Sequence, residues 1–226
     1  MKNFWRRLRY YGLGFGIGLI FVFFFFRNRG CSWLPENRVK NTFMGRVLVI
    51  SDENQRIFDE HHLTDSLIVS FLNDGSVSFG SSKKQGNPKV YKVTKELNGK
   101  EVELWFSMPE GAFVSEVAWP KGSIQKFKNT STGLGRMIHF PNVENFVFLK
   151  DNSVLDEQLV KLRVKNWEQV QYLMKKGGLI DFSKSDLKAE PSPEQYVLLP
   201  RQGGDTLKAR TVWFKEHIEF YRFEEK

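Results

Sequence analysis

Leu67-Ile68-Val69-Ser70-Phe71-Leu72-Asn73-Asp74-Gly75-Ser76-Val77-Ser78-Phe79-Gly80-Ser81-Ser82 returns 103 residues later as Val170-Gln171-Tyr172-Leu173-Met174-Lys175-Lys176-Gly177-Gly178-Leu179-Ile180-Asp181-Phe182-Ser183-Lys184-Ser185. The offset aligns Leu67 with Val170, Phe71 with Met174, Gly75 with Gly178, Phe79 with Phe182 and Ser82 with Ser185. In each copy apolar residues at helical spacing run into a glycine stop and then into a short alternating strand. After two extra residues Pro88-Lys89-Val90-Tyr91 meets Pro193-Glu194-Gln195-Tyr196, and further on Trp105-Phe106 meets Trp213-Phe214. Spaced matches through one whole order of elements point to an internal duplication.

The local signals of the first copy predict helices over 52–61 and 65–72, capped by Ser51 or Asp52 and by Thr64 or Asp65. They predict strands over 77–79, 90–94, 102–106 and 113–119, with Leu97-Asn98-Gly99-Lys100 as the hairpin turn between the second and third, since Asn-Gly favours a two-residue turn. The second copy predicts helices over 154–161 and 167–176 and strands over 179–182, 195–199, 207–214 and 217–223. A leading strand is predicted in each, over 46–50 and 145–149. The expected fold class is α+β, with short helices packed on an antiparallel sheet in each of two tandem modules of about 75 residues. The modules cover 45–119 and 145–226, separated by a connector over 120–144 rich in Gly, Ser, Thr and Asn.

Working outward to the N-terminus, the charge is unevenly placed. Residues 1–50 hold nine basic side chains against Glu36 alone and so carry the whole net charge of +8. Of 34 basic and 26 acidic residues this leaves 25 of each for the remainder. A phosphate-tracking surface needs a standing excess of Lys and Arg, so no nucleic-acid partner is expected. The basic residues flank a run without charge from Tyr10 to Phe26. This run predicts an anchor over 1–30, a transmembrane helix with Trp5, Arg9, Tyr10, Tyr11 and Arg27 at the membrane interfaces. Arg27-Asn28-Arg29-Gly30 lacks the small residues of a cleavage site, which argues against a removed signal peptide. Gly12, Gly14, Gly16 and Gly18 form two small-xxx-small pairs, a ridge for packing on helices of other integral membrane proteins. The bilayer and those proteins are the expected partners, through a juxtamembrane linker over 31–44. A short basic tail before a first apolar segment stays cytoplasmic, which puts the rest of the chain in the periplasm, on the outer side of a bacterial inner membrane.

The order of motifs resembles a family of short bacterial single-pass membrane proteins of unknown function. The residues that carry the resemblance are Tyr10-Tyr11-Gly12 with Gly16-Ile17-Gly18-Leu19-Ile20, then Cys31-Ser32-Trp33, then Asn37-Arg38-Val39-Lys40. The family's Gly-x-Val-x-Phe-x-x-Ser segment is matched from Gly75 to Ser82 and again, more weakly, from Gly178 to Ser185. The resemblance implies a soluble module similar to the barnase/colicin-type α+β ribonuclease fold, here duplicated, and transfers architecture more than activity.

Little in the chain points to catalysis. His61 and His62 are the only adjacent pair, closing the first helix, and the 103-residue offset places Val164 and Lys165 opposite them. A helix-end His more often faces the C-terminal dipole than a substrate. His139 and His217 stand apart, and no Glu-x-x-His or His-x-x-x-His spacing occurs, so no metal or cofactor is expected. Gly133-Leu134-Gly135 lacks the remaining glycine of a nucleotide fingerprint and reads as loop. Ser81-Ser82-Lys83-Lys84 reads as a solvated turn. The expected function is therefore a non-enzymatic accessory or assembly subunit of a larger envelope membrane-protein complex. A membrane-anchored ribonuclease-like phosphodiesterase using His61 or His62, and an envelope glycan-binding module, are the alternatives.

Overall fold

The computed structural model describes residues 2–27, 34–141, 153–161, 163–186, 194–200, 206–214 and 218–225. It divides into two compact units, Met1–Val39 and Lys40–Lys226.

The first unit contains α1 (Lys2–Arg27). Among the described residues no helix is long and apolar enough to cross a membrane. This corrects the expected transmembrane anchor, and with it the single-pass inner-membrane protein with a periplasmic part. The uncharged run of α1 extends from Tyr10 to Phe26, about 25 Å of helix against the ~30 Å of a hydrocarbon core. Its four glycines and two tyrosines dilute the hydropathy further. The side chains of 23–27 lie outside the described residues, as do Cys31 and Trp33.

The second unit is α+β and is built on one mixed sheet. Its elements are the end of α2 (Pro35–Met44), β1 (Val47–Ser51), α3 (Asp52–Glu60), α4 (Asp65–Asp74), β2 (Ser76–Val77), β3 (Lys89–Leu97), β4 (Lys100–Met108), β5 (Val114–Ala118), β6 (Leu134–His139), α5 (Ser153–Lys161), α6 (Trp167–Gly177), β7 (Leu179–Asp186), β8 (Glu194–Pro200), β9 (Thr206–Trp213) and β10 (Ile218–Glu225). The ten strands are ordered β10-β9-β8-β7-β6-β1-β5-β4-β3-β2. Every pairing is antiparallel except that of β1 with β5. Two modules with a small sheet each were expected; a single continuous sheet is found, and β6 makes the difference. It lies in the stretch read as a connector, yet pairs with β1 on one side and β7 on the other. Gly133-Leu134-Gly135 opens this strand and is no loop. Gly135 is required there because a Cβ would run into the ring of Phe182 and lie 2.6 Å from Val49.

Consecutive residues of a strand point to opposite faces. On β6, Arg136 reaches Gln55 of α3 and Asp65 of α4. Its neighbour Met137 joins the core formed with Leu155 and Leu159 of α5 and Val170, Leu173 and Met174 of α6. The two helix pairs therefore cover opposite faces of the sheet. The central strand β1 is consequently covered on both sides, and Val47, Leu48, Val49 and Ile50 are each 0% exposed. This is why that segment is uniformly apolar and not alternating. Full burial of each such side chain contributes about 1.5–3 kcal/mol.

The same hydrogen bonds recur in the two halves. Gly75 N donates to Phe71 O (3.1 Å) and Gly178 N to Met174 O (3.0 Å). Ser82 Oγ donates to Ser78 O and accepts from Lys92 N; Ser185 Oγ donates to Asp181 O and accepts from Tyr196 N. Trp105 Nε1 donates to Glu103 and Trp213 Nε1 to Thr211, in each case two residues back. Lys92 therefore corresponds to Tyr196, and Val93 to Val197, both 0% exposed. Matching Tyr91 to Tyr196 in the sequence misplaces this strand by one residue, which exchanges its faces.

Candidate functional site

The turn between the helices is repeated as well, and each copy of it lines a cleft. Leu63 N donates to Phe58 O and His62 N to Asp59 O; Val164 N donates to Leu159 O and Arg163 N to Val160 O. This is the paired bonding of a Schellman ending, with a residue in the left-handed region at its centre. That residue is His62 (φ 55°) in one copy and Arg163 (φ 54°) in the other. Leu63 and Phe58, and likewise Val164 and Leu159, are buried at the positions where this motif places an apolar pair. The true offset here is 101, so His62 corresponds to Arg163, and the pairing of His61 and His62 with Val164 and Lys165 is superseded. The next helix then starts from a capping side chain: Thr64 Oγ1 accepts from Leu67 N (3.3 Å) and Asn166 Oδ1 from Gln169 N (3.0 Å).

The first cleft encloses about 600 Å³ and is lined by Gln55, Asp59, His62, Thr64, Asp65 and Arg136. Arg136 contacts Asp65 through two parallel bonds and Gln55 through two more. The hydrogen bond to Asp65 raises the proton affinity of the guanidinium above its ordinary value, with burial opposing. Gln55 Nε2 in turn donates to Asp59 Oδ1 (2.6 Å). Four of the guanidinium contacts are thus spent within the protein, and the cleft is left with more carboxylate than free cation. A phosphorane-stabilising arginine needs the opposite arrangement.

His61 and His62 diverge. His62 lines the cleft, whereas His61 lies flat on Trp119, with centroids 4.1 Å apart and planes 8° from parallel. Trp119 is fixed in turn by Asn54, whose Oδ1 accepts from Trp119 N and whose Nδ2 donates to Ser51 Oγ. Beside this group Glu116, 3% exposed on β5, accepts from Thr130 N (2.8 Å) and Thr130 Oγ1 (2.5 Å). Desolvation pushes its carboxyl above the ordinary range, and the bonds from Thr130 and Ser51 pull the other way. Sequence reasoning gave Glu116 no role; a lone acid inside an apolar strand was the available signal.

The second cleft encloses about 840 Å³ and is lined by Arg163, Lys165, Glu168, Tyr172, Lys176 and Pro200, among others. Among the described residues no carboxylate pairs with Arg163, Lys165 or Lys176. Glu168 is held by Asn166 Nδ2. The two clefts share the repeated turn but extend differently, the first over α3 to Arg136 of β6 and the second along α6 to Pro200 of β8; they lie on opposite faces of one sheet and carry opposite charge.

The remaining expected residues fall elsewhere. Arg9, Tyr10 and Tyr11 are exposed on α1, and a Cβ on Gly12, Gly14, Gly16 or Gly18 would meet nothing within 4 Å. Trp5 and Arg27 belong to α1 with side chains outside the described residues. His139 Nε2 contacts Met44 O (2.9 Å), and His217 lies outside the described residues. Among the described residues no group of three His, Cys, Asp or Glu side chains is placed to hold a metal. Ser82 is buried and structural, while Lys83 Nζ donates to Phe127 O (3.1 Å).

Among the described residues, the fold and site define a ten-stranded α+β unit that includes these two clefts. In comparison with known proteins, no family model, no curated protein and no solved structure matches the chain. The expected membership of a family of single-pass membrane proteins with a barnase/colicin-type module is therefore corrected. No family match carries it, and the continuous sheet with helices on both faces differs from a small module with helices on one.

Proposed function

We propose that this chain is a non-enzymatic accessory subunit that assembles with other proteins, holding segments of its partners in the two clefts that border the helix–helix turns. The observation that carries this reading is the recurrence of one helix–helix turn on both faces of the sheet, each copy bordering a cleft, the two clefts being of opposite charge. A duplicated scaffold that presents two different surfaces suits the joining of two different partners. Support for the absence of catalysis comes from Arg136, four of whose five donors are engaged by Asp65 and Gln55, and from His61, which is stacked on Trp119 outside the cleft. The test is purification of the full chain from its native cells through a C-terminal tag. Stoichiometric partners are expected; a chain recovered alone overturns the reading.

One observation favours a second reading, a phosphodiesterase, because His62 shares its cleft with Asp59. RNA incubated with the purified chain decides it. Cleavage that disappears in His62→Ala would establish the enzyme, and intact RNA after prolonged incubation would dismiss it.

A further inference from the structure

Resting on the reading of this chain as a subunit, we propose that the second cleft takes an acidic segment of a partner protein, with carboxylates flanking one apolar side chain. Charge complementarity selects the occupant. Arg163, Lys165 and Lys176 line the cleft against Glu168 alone. Arg136 in the first cleft is forked onto Asp65, but the three cations here have no carboxylate partner among the described residues. They are therefore available to an incoming anion.

The apolar part of the lining sets the second requirement. Leu173 and Pro200 contribute to the wall, and Tyr172 is 56% exposed, an unusual position for a large aromatic on a capped, well-packed helix. Lys176 Nζ sits 5.5 Å from the centroid of that ring. An aromatic with a cation above it favours an apolar side chain bearing a carboxylate neighbour. The backbone donors at the start of α6 are not the attraction. Asn166 Oδ1 already accepts from Gln169 N, and Gln169 Oε1 accepts from Lys165 N (2.8 Å). Recognition falls to side chains. A nucleic acid is the weaker occupant, because residues 51–226 are balanced in charge and three cations in one cleft do not track a phosphate backbone.

The experiment titrates the full chain into a fluorescein-labelled peptide of two glutamates, a phenylalanine and two glutamates. Saturable binding is expected, weakening steeply between low and high salt. The double variant Lys165→Glu with Lys176→Glu is expected to weaken it by about tenfold or more. Both positions are exposed, and the circular dichroism spectrum should match wild type. Arg163→Asn, which tolerates the left-handed backbone, should weaken binding less but measurably. Lys84→Glu, an exposed cation that lines neither cleft, should leave it unchanged. Equal binding of the peptide with glutamines for glutamates overturns the proposal, as does unaltered binding to the double variant or tighter binding of a single-stranded RNA oligomer. The peptide assay needs no natural partner. Its failure removes this assignment and leaves the subunit reading standing, whereas a tagged chain recovered alone removes the subunit reading.

Discussion

The guanidinium of Arg136 and the carboxylate of Asp65 meet as a fork, Nη1 to Oδ2 at 2.5 Å and Nη2 to Oδ1 at 2.7 Å, joining the central strand β6 to the first turn of α4. The pair holds the first helix layer onto the strand that unites the two halves. Lysine cannot reproduce the fork. The two side chains are 35% and 42% exposed, so water screens part of the attraction. Arg136→Lys is expected to lower stability by about 1 kcal/mol in urea unfolding, with the slope unchanged. A variant as stable as wild type would mean that the fork contributes nothing.

Gly75 and Gly178 end α4 and α6 at ordinary negative φ, so their requirement for glycine is one of space alone. A Cβ would stand 2.5 Å from Phe71 O at Gly75 and 2.8 Å from Met174 O at Gly178. Both obstacles are backbone and cannot swing aside. Gly75→Ala and Gly178→Ala should each cost about 1–3 kcal/mol, the former more. Gly80→Ala, where a Cβ meets nothing within 4 Å, serves as the control and should change the melting temperature little.

Ser82 and Ser185 supply one test of structural equivalence. Each hydroxyl replaces a backbone partner for the opposing strand, accepting from Lys92 N at 3.0 Å and from Tyr196 N at 3.1 Å. Removing either leaves that amide without its acceptor. Ser82→Ala and Ser185→Ala are each expected to cost about 1–3 kcal/mol. Costs that differ severalfold would argue that the shared geometry is not a shared role.

Glu116 predicts a dependence on pH. Its carboxyl holds the proton to higher pH in the folded chain than in the unfolded one, because burial penalises the charge. The folded state therefore binds the extra proton between the ordinary carboxyl range and the raised value, and stability falls as pH rises through that window. Below the window both states are protonated and the difference disappears. Glu116→Gln should flatten this part of the profile and raise stability relative to wild type at neutral pH. A wild-type profile with no decline above the carboxyl range would contradict the assignment.

The helices α3 to α6 and the hairpin β3–β4 were legible because their signals are local. Ser51 and Thr64 accept the expected cap bonds, and Asn98 and Gly99 adopt positive φ at the hairpin turn, 52° and 77°. The cleft itself was half legible. His61 and His62 were singled out, but not their divergence, and no spacing in the sequence connects Arg136 with Asp65 across 71 residues. The repeat was visible in its glycines and tryptophans. Its strand register was not, because matching one tyrosine to another outweighed a one-residue shift that only the bonds of Ser82 and Ser185 resolve.

Residue order alone determined which segments bend, stop and alternate, since capping, glycine endings and strand periodicity act over a few residues. The assembly of those segments into one sheet depended on β6, whose glycine and mixed polarity conceal a strand until Phe182 and Val49 close over it. The covering of opposite faces by the two helix pairs, and with it the two clefts of opposite charge, arises only when residues far apart in the chain pack together. Local propensity carries no information about such contacts.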